Sequence, residues 1–236
     1  MFQRTELAPT GTLRVGVNFG NTVLATKDES GTPRGIAVDL ARELTRRTGV
    51  PMELVSYDSA GRMADGAKTG AWDVAFLAAD PARAEEIAFT APYLEIETTY
   101  LVLAGSPLAT LSDVDREGVR IAVSDKSAYD LFLTRSLKAA RLVRASTPGE
   151  SIDLFFAEKL DALAGIKPVL IDVAEKHPHT RLLDGSFMAV RQAIGTPKDR
   201  HAMASFLREF VQDIKASGLI VEIIERNGVR GVSVAL

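Results

Sequence analysis

An arginine that follows an apolar run is the residue of this sequence best suited to binding a ligand. Arg83 lies in residues 70–93, GAWDVAFLAADPARAEEIAFTAPY, where the apolar run ends in a turn before the arginine. A guanidinium offers a planar fork of donors that binds a carboxylate through two parallel hydrogen bonds, and it stays charged at any relevant pH. The spacing alone, however, favours a surface helix in which Arg83 pairs with Glu86.

The composition excludes several other kinds of chemistry. The chain has 46% hydrophobic and 25% charged residues, a net charge of −3 and no acidic or basic block, so nothing suggests nucleic acid as a partner. The absence of cysteine excludes disulfides, thiolate catalysis and cysteine metal sites. His177 and His179 have a spacing that a metal could use, but we expect a solvated loop there, because a metal site needs more ligands. No metal and no cofactor is expected.

Motifs of common enzymes and of membrane proteins are also missing. There is no Ser-His-Asp set, P-loop or dinucleotide-binding turn, and GTPRG at 31–35 is interpreted as a hairpin turn. No apolar stretch approaches the ~20 residues that a membrane-spanning helix needs. The N-terminal MFQRTELAPTGTLRVGV lacks the basic region and apolar core of a signal peptide. We expect a periplasmic protein if a signal peptide has been trimmed and a cytoplasmic one otherwise, because Met1 before a polar leader is also typical of a natural start.

Apolar runs that alternate with amphipathic patterns predict an α/β protein with largely parallel sheets. In residues 38–48 the apolar side chains make one face of a helix, two arginines stand in its last turn, and Gly49 is placed to end it. The predicted strands are 13–17, 51–56, 73–78, 99–104, 119–123, 161–164 and 187–194, and the predicted helices are 38–48, 59–68, 128–139, 151–158 and 201–217.

Weak internal similarity favours two lobes of like topology. WDVAFLAADP at 72–81 resembles LDALAGIKP at 160–168, since each has an aspartate that opens an apolar strand and a proline that could start a helix. A ligand would then lie at the carboxyl ends of the parallel strands. With linkers at 105–107 and 185–186, we predict lobe 1 at 1–103 plus 191–236 and lobe 2 at 104–190.

Six phrases of the sequence resemble bacterial extracellular solute-binding proteins of family 3, the amino-acid-binding receptors of ABC importers. They are TLRVGVN, GIAVDLARELTRRTG, GAWDVAFLAADPARAEEIAFTAPY, GVRIAVSDKSAYDLFL, EKLDALAG and FLREFVQDIKASGLIVEIIERNG, in the family's order and over nearly the whole chain. The resemblance implies two Rossmann-like α/β lobes joined by two crossover strands, the type 2 periplasmic binding fold. It also implies that the lobes close around a small solute by hinge motion.

The resemblance implies contacts with a ligand carboxylate from both lobes. Arg83 stands where the family's arginine binds the carboxylate. Ser127, followed by Ala128, matches the hydroxyl residue at the start of the second lobe's first helix, where the hydroxyl and the free N–H groups favour an anion. A plain N-cap is the alternative for Ser127, and it is compatible with binding. Lys126 replaces the family's glycine before this serine.

Several positions depart from the amino-acid-binding pattern. Ala78 replaces a hydroxyl residue, and Ile166 stands where a carboxylate would hold the α-ammonium of an amino acid. Because an unpaired buried ammonium costs several kcal/mol, the sequence favours a carboxylate ligand without that contact, such as an organic acid or a diacid that uses Lys167 as a second cation. The alternative for Lys167 is a solvated position at a helix start. The predicted ligand contacts are Asn18, Phe19, Asn21, Phe76, Ala78, Arg83, Ser127, Ala128 and Lys167.

We therefore expect a monomeric, non-enzymatic receptor for a small carboxylate-bearing solute, working with the membrane subunits of an ABC transporter. An alternative is an enzyme, since the same fold includes cyclohexadienyl dehydratases, which use a carboxylic acid as general acid. Ile166 stands at the position of that acid, and Glu95 and Glu97 are simpler to interpret as a solvated strand end. A further alternative is an intracellular ligand-sensing module without a transporter.

Overall fold

The computed structural model describes residues 7, 8 and 10–236, and over this range the chain is an α/β protein. The N-terminal leader lies largely outside the described residues. The described helices are α1 (Ile36–Thr48), α2 (Ala60–Asp65), α3 (Ala128–Ser136), α4 (Pro148–Ala157), α5 (Lys167–Lys176), α6 (His201–Ala216) and α7 (Leu219–Arg226). The strands are β1 (Leu13–Asn18), β2 (Thr26–Lys27), β3 (Pro33–Arg34), β4 (Met52–Tyr57), β5 (Val74–Ala78), β6 (Ile87–Phe89), β7 (Leu94–Leu103), β8 (Arg120–Ser124), β9 (Arg141–Ala145), β10 (Ala162–Ile166), β11 (Thr180–Leu182), β12 (Met188–Pro197) and β13 (Val232–Val234).

The chain divides into two compact units that are interleaved along the sequence. The first unit comprises the chain up to Glu95, Arg191–Val229 and Ser233–Leu236, and the second comprises Ile96–Val190 and Arg230–Val232. Strands β7 and β12 each run from one unit into the other. The predicted first boundary follows residue 103, whereas the chain changes from the first unit to the second between Glu95 and Ile96, inside β7.

The first unit contains a sheet with the strand order β4-β1-β5-β12. Strands β4, β1 and β5 are parallel, and β12 is antiparallel to β5. Trp72 is fully buried beside this sheet, and its Nε1 donates a hydrogen bond of 2.8 Å to the Met63 carbonyl. Asp73, at the start of β5, accepts hydrogen bonds from Arg14 and Arg200. Those two bonds tie the strand to β1 and to the segment that precedes α6.

The second unit contains a sheet with the strand order β7-β10-β8-β9. Strands β10, β8 and β9 are parallel, and β7 is antiparallel to β10. Apolar side chains from β7, β8 and β10 pack against helices α4 and α5. The buried members of this core are Leu101, Ala122, Phe155, Leu160, Leu163, Leu170 and Val173.

The strongest sequence patterns are confirmed. Helix α1 ends at Gly49, which adopts the left-handed conformation with φ 65°, and its N–H donates to the Thr45 carbonyl. Residues 31–35 belong to the β2-β3 hairpin, as predicted. Pro168 stands in the first turn of α5, whereas Pro81 precedes only a 3₁₀ turn at Arg83–Glu85. The described elements without a predicted counterpart include α7 and the short strands β6, β9, β11 and β13, and β7 begins before its predicted start at residue 99.

None of the helices in the described range is long and apolar enough to cross a membrane.

Candidate functional site

In each unit, chain segments that carry polar side chains leave one edge of a parallel sheet. In the first unit β1 and β5 are parallel neighbours, so the loop after Asn18 and the turn after Ala78 lie at the same carboxyl edge. In the second unit β8 and β10 are parallel neighbours, so the segments after Ser124 and after Ile166 share an edge in the same way. The predicted ligand contacts are concentrated in these four segments.

The turn after β5 positions Arg83. Asp80 is buried, and its Oδ1 accepts a hydrogen bond of 2.9 Å from the Ala82 N–H while its carbonyl accepts one from the Ala84 N–H. These bonds fix the chain as it enters the 3₁₀ turn at Arg83–Glu85. The Arg83 side chain folds back, and its Nη1 donates a hydrogen bond of 2.8 Å to the Ala78 carbonyl at the end of the strand.

Arg83 is a buried cation, with only 6% of its surface exposed. Burial lowers the pKa of its guanidinium to about 10, and the carboxylates of Asp80 and Asp65 act in the opposite direction. The side chain is therefore charged at neutral pH. The interpretation of Arg83 as a surface residue beside Glu86 is wrong, because Glu86 is exposed and Arg83 is not.

The loop after β1 uses its polar side chains to hold its own turn. Asn18 Oδ1 accepts a hydrogen bond of 2.9 Å from the Gly20 N–H, and Asn21 Oδ1 accepts one of 3.2 Å from the Val23 N–H. The Phe19 ring is half-buried and lies 5.1 Å from Lys27 Nζ, within range of a cation–π contact. Asn18, Phe19 and Asn21 thus lie at the predicted edge of the sheet, with both asparagine oxygens already accepting backbone hydrogen bonds.

The two predicted contacts on β5 are buried in different settings. Phe76 is 1% exposed and its ring lies edge-on to Tyr93, with a centroid separation of 6.3 Å and an interplanar angle of 84°. This places Phe76 in the core of the first unit. Ala78 ends the strand and pairs across the sheet with Gln192 of β12. Gln192 is not among the predicted ligand contacts, because only the strand register brings it beside Ala78.

Ser127 directly precedes helix α3, which begins at Ala128 as predicted. The Ser127 side chain accepts a hydrogen bond of 3.1 Å from the Asp130 N–H, which makes it the N-cap, and Ser127 and Ala128 are both buried. Because the oxygen acts as an acceptor in this cap, the hydroxyl hydrogen can be donated to an anion. Lys126 adopts the left-handed conformation with φ 52°. It therefore keeps the kind of backbone conformation that a glycine adopts most readily.

An ion pair between a buried aspartate and an exposed arginine holds this helix start in place. Asp130 is 2% exposed, its Oδ2 accepts a hydrogen bond of 2.8 Å from the Lys126 N–H, and its Oδ1 lies 3.0 Å from Arg144 of β9. Tyr129 adds a buried phenol. Burial raises its pKa to about 12, and hydrogen bonds with Ser127 and Ser124 counteract part of that rise.

The segment after β10 differs from what an amino-acid ligand would require. Ile166 is buried at the end of the strand, and Lys167 Nζ donates a hydrogen bond of 2.8 Å to Glu97 Oε2. Glu95 is paired in turn with Arg191, whose Nε lies 3.1 Å from its carboxylate. Lys167 thus neither points freely into solvent nor carries an uncompensated charge. Glu95 and Glu97 are both engaged in ion pairs.

No group of three or more residues suited to a metal ion occurs within residues 7, 8 and 10–236. Phe156 packs instead against His177 at a ring separation of 4.3 Å, and His179 lies 5.9 Å from both rings.

Several solved structures are similar to the chain. The L-cysteine solute receptor of Neisseria gonorrhoeae is 20% identical with a TM-score of 0.84, covering 98% of this chain and 96% of its own. A mutant of ArgBP from T. maritima is 22% identical with a TM-score of 0.80, covering 94% and 97%. The ancestral amino acid-binding protein AncCDT-1, a precursor of cyclohexadienyl dehydratase, is 21% identical with a TM-score of 0.78, covering 94% and 97%. At these identities the comparisons show the fold, which is the type 2 periplasmic binding fold.

The family comparison is more specific. No curated protein sequence matches the chain. The family model for bacterial extracellular solute-binding proteins, family 3, matches residues 13–229. This range includes the four segments at the sheet edges that carry the predicted ligand contacts. The protein therefore belongs to the bacterial extracellular solute-binding proteins of family 3.

Proposed function

We propose that the protein binds a small carboxylate-bearing solute and that Arg83 is the main contact of the carboxylate. The observation that carries the proposal is a buried, charged guanidinium immediately after β5, at the carboxyl edge that also holds the loop after β1. Charge-assisted bonds from a planar guanidinium are among the strongest that a carboxylate can form. A buried setting strengthens them further, because water screens the charges less.

Ser127 is proposed as the second contact with the carboxylate. Its oxygen caps α3, its hydroxyl also hydrogen-bonds with Tyr129, and the N-terminal N–H groups of the helix favour an anion. Arg83 belongs to the first unit and Ser127 to the second. A ligand that binds both would favour the conformation in which both can reach it, so we propose that binding draws the units together by hinge motion.

The ligand is proposed to be amino-acid-like or another organic acid. The similar structures that bind amino acids support the first, and the apolar Ile166 supports the second, because it cannot accept a hydrogen bond from an ammonium group. A diacid that uses Lys167 as its second cation is less well supported than the sequence suggested. The ion pair with Glu97 already compensates the charge of Lys167.

A role as receptor of an ABC-type importer is proposed from the family, whose members are extracellular solute-binding proteins. Binding is proposed in preference to catalysis. The apolar Ile166 stands at the position of the general acid that such an enzyme would need, and Glu95 and Glu97 are engaged in ion pairs with Arg191 and Lys167. The alternative of a ligand-sensing module without a transporter would use the same ligand contacts, so the two roles do not differ at this site.

Calorimetric titration of the wild-type protein tests the proposal. The probes are carboxylates of different size, among them L-arginine, L-cysteine, lactate and succinate, each with its carboxamide analogue. We expect at least one carboxylate to bind and its carboxamide to bind about 100-fold or more weakly, because a contact with a buried charge contributes about 3 kcal/mol. Equal binding of a carboxylate and its carboxamide would contradict the proposal.

A further inference from the structure

Gln192 carries a buried acceptor to which none of the described residues donates a hydrogen bond. The side chain is 4% exposed, and its Oε1 has no hydrogen-bond partner among the described residues. Its backbone carbonyl is engaged on β12, where it accepts a hydrogen bond of 2.8 Å from the Tyr93 N–H. Buried polar atoms are nearly always hydrogen-bonded, so an exception of this kind indicates a partner that the chain does not provide.

The strand register brings this acceptor to the end of β5. Gln192 lies directly opposite Ala78 in the antiparallel pair, and the Ala79 N–H bonds to the Arg191 carbonyl. Ala78 and Gln192 therefore form the non-hydrogen-bonded type of pair, whose side chains lie on one face and closest together. The Ala78 carbonyl is also the acceptor of the Arg83 hydrogen bond. Gln192 and Arg83 are thus both neighbours of Ala78, Gln192 through the strand register and Arg83 through its hydrogen bond.

We infer that Gln192 is a ligand contact that determines specificity, accepting a hydrogen bond from a group next to the ligand's carboxylate. This inference rests on the proposed function, since Arg83 must hold that carboxylate. Ala78 has no hydroxyl to offer a ligand, and the neighbouring amide of Gln192 provides a polar contact in its place. The ligand must then carry a hydrogen-bond donor beside its carboxylate.

Because the amide of Gln192 is neutral, it favours one kind of hydrogen-bond donor on the ligand over another. An ammonium group needs an anionic partner when it is buried, whereas a hydroxyl is matched by a neutral acceptor. Gln192 is neutral, and the apolar Ile166 cannot serve as an anion in the second unit. The ligand class that fits these residues is an α-hydroxy acid, with its carboxylate on Arg83 and its hydroxyl on Gln192 Oε1.

The test uses three acids on each carbon skeleton, which differ only at the α-carbon. Alanine, lactate and propionate form one set, and phenylalanine, phenyllactate and phenylpropionate form another. Glutamate, 2-hydroxyglutarate and glutarate form the third. Affinities are measured by calorimetry for the wild type, Gln192→Met, Gln192→Glu and the control Tyr93→Phe. The control removes the other unpartnered buried atom beside β12, the Tyr93 hydroxyl, which the inference does not place at the ligand.

The wild type is expected to bind the hydroxy acid of its preferred skeleton at least about tenfold more tightly than the amino acid or the unsubstituted acid. Gln192→Met should abolish the preference over the unsubstituted acid without lowering the melting temperature, because the lost acceptor has no partner within residues 7, 8 and 10–236. Gln192→Glu should shift the preference towards the amino acid, and Tyr93→Phe should leave it unchanged.

Four results would overturn the inference. The first is a wild type that binds a carboxylate with no preference for the hydroxy acid, which leaves the proposed function intact. The second is an unchanged preference in Gln192→Met, and the third is the same loss of preference in Tyr93→Phe, which would assign the effect to packing. The fourth is a wild type that binds none of these acids, and the proposed function fails as well if the carboxylates of its own titration do not bind either.

Discussion

Arg83 is distinguished from the arginines that stabilise the fold by its burial and by its position in the sheet. Arg14 and Arg200 hold the buried Asp73, and both keep part of their side chain exposed. Arg83 is almost completely buried and donates to the neutral carbonyl at the end of its own strand. Burial alone would also suit a structural arginine. The position at the carboxyl edge of parallel strands, where ligands bind in α/β folds, supports a role in binding.

Ser127 allows its structural and binding roles to be measured separately. Ser127→Ala removes the acceptor for the Asp130 N–H, so we expect the free energy of unfolding to fall by about 1 kcal/mol in urea titrations. The same change should weaken carboxylate binding by about tenfold, because a hydroxyl donor is lost. Ser127→Thr keeps both hydroxyl functions and serves as the control. A loss of stability with unchanged affinity would identify Ser127 as a plain N-cap.

The individual residues of the site could be predicted to different degrees. Arg83 and Ser127 could be identified because their chemical types and their positions after a strand and before a helix are visible in the sequence. The ion pair of Lys167 with Glu97 could not, since the two residues are far apart in the chain and meet through the pairing of β10 with β7. Gln192 was missed for the same reason, because an amide in a β-strand has no significance until the register places it opposite Ala78.

At the scale of elements, amphipathic helices were predicted better than strands. Helix α1 has a continuous apolar face and a glycine at its end, so the sequence defines it locally. Strand β7 begins at Leu94. The sequence predicts its start only at residue 99, because the preceding residues LEIET mix charged and apolar side chains and do not look like a buried strand. Glu95 and Glu97 are tolerated in this strand because Arg191 and Lys167 lie beside them.

The turn that leads into α3 stores backbone strain that a substitution can release. Lys126 has φ 52°, a conformation that costs an L-residue about 1–2 kcal/mol, while glycine loses about 0.5–1 kcal/mol of chain entropy on folding. We expect Lys126→Gly to raise the free energy of unfolding by about 0.5 kcal/mol, measured by urea denaturation. Lys159, with φ 50°, is a matched control away from α3. A gain in Lys159→Gly together with a loss in Lys126→Gly would show that the Lys126 side chain outweighs the strain.

At the scale of the whole molecule, the chain builds two units that follow one plan. Each has parallel strands whose carboxyl edge carries one proposed carboxylate contact, Arg83 in the first unit and Ser127 in the second. The weak similarity between WDVAFLAADP and LDALAGIKP reflects this plan, since both segments contain a buried parallel strand, β5 and β10. The sequence indicated two lobes from this plan, and the chain changes unit inside the continuous strands β7 and β12.

The central claim is that Arg83 binds the carboxylate of the ligand, and a thermodynamic cycle between protein and ligand tests it most directly. Calorimetry would compare wild type with Arg83→Met for the best-binding acid and for its carboxamide, after circular dichroism has shown that the variant is folded. We predict a coupling energy between the guanidinium and the carboxylate of at least about 1.5 kcal/mol. A coupling energy below about 0.5 kcal/mol, the range of independent groups, would contradict the account.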